Sequence, residues 1–111
     1  TPATTTLTGV QTSISVTVGS VGADDLVVDG LMTSGNNLAT AGADQTERYR
    51  ETAAGNDEIF VGSTQAGTAG GVMSWTVDSG IAGELILGAV AFKPAAAVAG
   101  DLIDPAIVYF G

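Results

Sequence analysis

The sequence predicts an all-β fold: a two-sheet antiparallel β-sandwich, jelly-roll-like, of about eight strands. Composition is the first reason. Sixteen of the 111 residues are glycine, Thr, Val and Ala are abundant, and only 14% of residues are charged. Glycine is costly in a helix and β-branched side chains lose χ1 freedom there, so this mixture favours strands and tight turns. Alternation is the second. In TSISVTV (12–18), Ile14, Val16 and Val18 alternate with Ser13, Ser15 and Thr17, the period of a half-buried strand. The third is the regular spacing of turn residues between short apolar runs, as in sandwiches.

Taken in order, TLTGV (6–10) is a short strand and TSISVTV the next. DLVVDGLM (25–32) is a strand, and SGNN (34–37) is a turn, because Gly and Asn accept positive φ. QTERYR (45–50) alternates bulky polar groups around Tyr49. AAGND (53–57) turns, EIFVGS (58–63) is a strand and QAGTAGG (65–71) is a loop. VMSWTV (72–77) sets Met73, Trp75 and Val77 on one face, and DSGIAG (78–83) reads as a turn. ELILGAVAF (84–92) is apolar on both faces, which places it inside a sheet, with Gly88 marking a bulge or close packing. Lys93-Pro94 closes that strand, since proline has no N–H to donate. In PAAAVAGDLID (94–104) the alanines favour helix, while Gly100 and the prolines at 94 and 105 limit it to a turn or two, or to a loose linker. AIVYF (106–110) is the last strand. The expected organisation is one domain over 1–111, with 95–111 a tether plus a terminal strand open to pairing with a neighbouring subunit.

Five pieces carry a resemblance: DLVVD (25–29), AGADQTERYR (41–50), GSTQAG (62–67), VMSWTV (72–77) and LGAVAFKPA (87–95). In that order they resemble a glycine-rich, jelly-roll-like β-sandwich domain of bacterial and phage surface, fibre and adhesin-like proteins. The resemblance covers roughly two-thirds of the chain. It implies a sandwich fold and a surface setting, and brings no catalytic or ligand residues. The chain departs from the pattern after Pro94, where a new apolar segment is appended.

A chain of 111 residues can bury one core without disulfides or metal. Cysteine is absent, so there is no thiol nucleophile and no thiolate metal site. Arg48, Arg50 and Lys93 face twelve acidic residues, a formal net charge of −9 that repels phosphate backbones and anionic lipid. Neither nucleic-acid binding nor membrane insertion is expected, as no apolar run approaches the ~20 residues of a span. TPATTT has neither the basic region nor the apolar stretch of a signal peptide and no initiator Met, so Thr1 is expected to follow a processing site or an engineered boundary.

The vocabulary of catalysis is missing. VDSGIAG (77–83) invites comparison with the Asp-Ser/Thr-Gly loop of aspartic proteases, but its second carboxylate would have to come from another copy, and too little chain follows it. Without His or Cys no Ser-His-Asp or Cys-His triad can form. GSTQAGTAGG (62–71) lacks the Lys-Ser/Thr and the helix of a phosphate loop. No enzymatic activity and no cofactor are expected. Ca²⁺ is the one ion that Asp24-Asp25, Asn56-Asp57-Glu58 or Asp101 with Asp104 could recruit, against the ordinary reading of solvated turn acids.

Two candidate sites remain. Gln45, Glu47, Arg48, Tyr49 and Arg50 form either a cross-strand ion-pair ladder or a glycan-binding patch in which Tyr49 or Trp75 stacks on a sugar. Trp75, between Met73 and Val77, is better placed in the core. Ala106, Ile107, Val108, Tyr109 and Phe110 form the candidate assembly strand, without a charge to discourage pairing with another chain. The expected function is therefore a non-enzymatic structural subunit of an extracellular filament, surface layer or virion-associated assembly, a homo-oligomer or polymer joined by strand addition. The alternative is a carbohydrate-binding or adhesive module of a larger surface protein.

Overall fold

Ile14, Val16 and Val18 are buried while Ser13, Ser15 and Thr17 face solvent, so the alternation becomes a two-faced strand. The computed structural model describes residues 2–34, 39–52 and 58–95, without the side chains of 9–11 and 78–83. The described strands are β1 (Ala3–Thr17), β2 (Leu26–Ser34), β3 (Ala39–Ala41), β4 (Thr46–Thr52), β5 (Glu58–Ala66) and β6 (Val72–Phe92), with a single 3₁₀ turn at Gly67–Ala69.

β1 and β6 each serve two sheets. Residues 3–11 of β1 pair with 81–89 of β6, and 13–17 pair with 72–76; the register breaks between Gln11 and Ser13. Counted by sheet, the eight strand segments form antiparallel sheets of five and three strands, the sandwich the sequence predicts. The larger runs β1–β6–β2–β5–β4, and the smaller runs β1–β6–β3.

This sharing corrects two expectations. TLTGV and TSISVTV are not separate strands but one, and DSGIAG is not a hairpin turn. Between the two ladders β6 spends residues 77–80 where β1 spends only Thr12. The surplus is absorbed as a bulge at the place where the strand changes sheet, which a sandwich corner requires. β3, only three residues long, carried no alternation from which to predict it. SGNN beyond Ser34, AAGND, and everything after Ala95 lie outside the described residues.

The core is the inner face of both sheets: Val27 and Leu31 of β2, Ile59 and Val61 of β5, Leu85, Leu87 and Ala89 of β6, against Ile14, Val16, Met73, Trp75 and Val77. ELILGAVAF is interior as predicted, lying between β1 and β2. One end of the sandwich is closed by loop against loop. Val18 N–H donates to Gly71 O at 2.9 Å, and Gly67 N–H donates to Asp25 O at 2.8 Å. A Cβ on Gly67 would run into the backbone oxygen of Gly22, which cannot move without opening this end.

Lys93 fastens the end of β6 to the same loop, donating to Ser20 O at 3.0 Å and to Asp25 Oδ2 at 2.8 Å. Asp25 Oδ2 also accepts from Gly22 N–H at 2.8 Å. The Lys93 bond, followed by the Gly22 bond, holds the Asp25 carboxyl below its ordinary range against the opposing effect of burial.

Two outcomes follow from this end. Gly67→Ala should lose about 1–3 kcal/mol in urea unfolding, because the clash is with backbone. Asp25→Asn should melt below the parent at pH 7. A lowered native pKa adds stability that is present above the unfolded value and is lost as pH falls through the native one, so the gap should close below about pH 4. A gap that stays constant with pH would remove the carboxylate from that role.

Candidate functional site

Alternation along β2 puts Val27, Asp29 and Leu31 on the same inward face, so a carboxylate enters the core between two aliphatic side chains. Its burial is matched by donors. Asp29 Oδ1 accepts from the Ser63 N–H at 2.8 Å and the Ser63 hydroxyl at 2.7 Å. Asp29 Oδ2 accepts from the Trp75 indole Nε1–H at 2.7 Å and from Gln45 Nε2 at 3.2 Å. Burial raises the Asp29 carboxyl above its ordinary range, and the bonds from Ser63 and Trp75 pull it back. With two donors on each oxygen, the ionised form is the one this geometry satisfies.

Gln45 extends the network. Its Nε2 also donates to Ser63 Oγ at 2.8 Å, and its Oε1 accepts from Ser74 N–H at 2.7 Å. β2 and β5 belong to the large sheet, and the Trp75–Ser74 part of β6 to the small one. Asp29 and Gln45 therefore bond the two sheets together through the core. Trp75 is fully buried and its only polar atom is committed to Asp29, so it offers no platform to a sugar.

The predicted patch at 45–50 divides into three roles. Gln45 faces inward, as above. Glu47 and Arg50 form a two-bond ion pair, Nη2 to Oε1 at 2.7 Å and Nε to Oε2 at 2.8 Å. Residues three apart on a regular strand point to opposite faces, but Arg48 is an extra residue in β4, between Glu47 opposite Ser63 and Tyr49 opposite Gly62. That bulge returns Glu47 and Arg50 to one side. The ion pair thus lies within β4 and is not the cross-strand ladder expected. The Arg50 bond holds the Glu47 carboxyl low.

Arg50 Nη2 also donates to Ala39 O at 2.7 Å, joining the edge strand of the large sheet to the edge strand of the small one. Arg48 and Tyr49 turn to the outer face. Arg48 Nε donates to Thr64 Oγ1 at 2.9 Å, and the Tyr49 ring meets Phe60 edge-on at 5.6 Å. Of the patch, Tyr49 alone presents an exposed aromatic ring. Among the described residues no three acidic side chains gather as a metal would need. Asp25 is engaged by Lys93, while Asn56, Asp57, Asp101 and Asp104 lie outside the described residues. So do Ala106, Ile107, Val108, Tyr109 and Phe110.

The described sheet edges differ sharply. β4 carries Glu47, Arg48, Arg50 and Glu51, the charges by which edges deter pairing. β1, ATTTLTGVQTSISVT, is 15 residues long without one charge or proline, and among the described residues it pairs with β6 alone. Among the described residues no strand pairs along the other flank of β1, in either sheet. No helix of the described residues is long and apolar enough to cross a membrane.

Comparisons with family models, curated proteins and solved structures found no match.

Asp29→Asn should cost about 3 kcal/mol in chemical denaturation, because an amide nitrogen must then face either the Ser63 or the Trp75–Gln45 donors. The chain has a single tryptophan, so emission reports on this contact directly. A blue-shifted maximum in the parent that moves to the red in Asp29→Asn is expected; an unchanged unfolding midpoint would show that the network is not what joins the sheets.

Proposed function

We propose that this chain is a non-enzymatic structural subunit of an extracellular filament, surface layer or virion-associated assembly. Neighbours are joined by strand addition, with Ala106–Phe110 of one copy pairing, in the next, along the flank of β1 that faces away from β6. What supports this reading is the length and chemistry of β1, 15 residues without a charge or proline whose strand partner among the described residues is β6 alone.

Strand addition draws its affinity from main-chain bonds and its specificity from alternate side chains. Ala106, Val108 and Phe110 fall on one face of the added strand and Ile107 and Tyr109 on the other. The ten residues between Ala95 and Ala106 reach up to ~35 Å if extended, enough to leave one sandwich and lie on another. Such a contact is head-to-tail, and unless its rotation closes a ring it propagates. The resemblance of the five sequence pieces to surface and fibre domains supports this setting, as does a sequence without His or Cys.

Deleting residues 96–111 tests it. Expected is a chain that keeps its cooperative melt, because the strands of both described sheets lie before residue 96, and that forms no polymers in negative-stain microscopy. Loss of the cooperative melt would mean that the strand belongs to its own sandwich, and polymers that persist would mean that assembly runs elsewhere.

A further inference from the structure

The two outer faces of the sandwich are chemically unlike. The small sheet shows solvent Ser13, Ser15, Thr17, Thr40 and Thr76. The large sheet shows Leu26, Met32, Tyr49, Phe60, Ile86 and Phe92, each 40–57% exposed. These are six of the seven large hydrophobics exposed among the described residues. A patch of this kind on one face marks an interaction surface.

Its relief is ordered by the registers. Gly88 of β6, Gly30 of β2 and Gly62 of β5 are direct partners on three adjacent strands, making a shallow trough that has no Cβ of its own and that the Phe60 ring overhangs at Gly30. On one side of this trough runs the ridge Ile86–Met32–Phe60–Glu51. On the other lie Val90, Val28 and Thr64, with Arg48 bonded to Thr64 at the end. At its Gly88 end, beside the start of β1, the trough widens into a depression of about 380 Å³ lined by Pro2, Thr4, Val28, Gly30, Gly88 and Val90.

We propose that this face binds a second copy of the chain, packed back to back about a two-fold axis along the row Gly88–Gly30–Gly62. The knobs Ile86 and Met32 and the hollow by Val90 and Val28 lie on the same two strands, on opposite sides of the glycines. Rotation about the glycine row exchanges those sides, so each copy's Ile86 and Met32 enter the other's hollow. Isologous interfaces demand such self-complementarity.

Charge agrees with shape. The same rotation brings Glu51, at the end of one ridge, against Arg48, at the end of the other, once on each side of the axis. The middle of the face is uncharged, so nothing on it would select a strongly charged partner. Five strands ~4.8 Å apart and about nine residues long give roughly 700 Å² per copy, close to the ~800 Å² per partner of a stable interface. This contact uses no residue beyond Ala95, and so is independent of the terminal strand.

The test is sedimentation velocity on the full chain carrying Val108→Pro, which blocks strand addition through the tail and leaves this face intact. A dimer at about 100 μM is expected. Adding Met32→Glu should weaken it at least ~10-fold, which is about 1.4 kcal/mol; because Met32 is exposed, tryptophan emission and melting should hold. Arg48→Glu and Glu51→Arg should each weaken the dimer, and the two together should restore it by re-forming opposite-charge pairs. A monomer at that concentration, a dimer indifferent to Met32→Glu, or a double charge variant weaker than both singles would each overturn the proposal. None of these readings depends on whether polymers form through the tail.

Discussion

The carboxylate of Asp29 is the point on which the sandwich turns. A charge moved from water into a core costs several kcal/mol unless its lone pairs are met, and here they are met by groups from β2's neighbour β5, from β6 and from the β3–β4 connection. Apolar contact between two sheets is tolerant of sliding; four directed bonds are not. The network thus fixes how the small sheet sits over the large one, and with it the position of β3, whose Ala41 pairs with Trp75. Gln45 then ties the β3–β4 connection to Ser74, which carries β4 to its place at the edge.

Much of this could be read in the residues. TSISVTV and ELILGAVAF declared their periodicity, and the structure gives them the half-buried and interior places their patterns require. Trp75 between Met73 and Val77 went to the core for the same reason. Asp29 was legible too, since it occupies the inward phase of Val27 and Leu31, yet aspartate is so seldom buried that phase alone argues weakly against composition. What the sequence could not convey was sharing. Whether Gly-rich DSGIAG turns back or passes on depends on how β1 pairs beside it, a long-range matter that local residue preference does not encode.

The patch at 45–50 shows the same limit at smaller scale. Read with period two, Glu47 and Arg50 diverge; the inserted Arg48 reunites them, and the register on β5 decides that. The result reassigns the group. Gln45 and Arg50 bind the sheets together from inside and from the rim, while Arg48 and Tyr49 join the apolar outer face. The residues that looked like a single surface site are a seam between two surfaces with different work.

β6 has one more property. Along its second part it is bonded on both flanks, to β1 and β2, and along its first part to β1 and β3. The chain leaves for residues 96–111 from the end of this strand. Tension applied through the tail would therefore pull β6 along its own axis, loading long ladders on both sides in shear, where many bonds must fail together. Tension on Ala3 along β1 would load the β1–β6 ladder alone among the described pairings. A chain built this way resists load better through β6, held by ladders on both flanks, than through β1, held among the described residues by one.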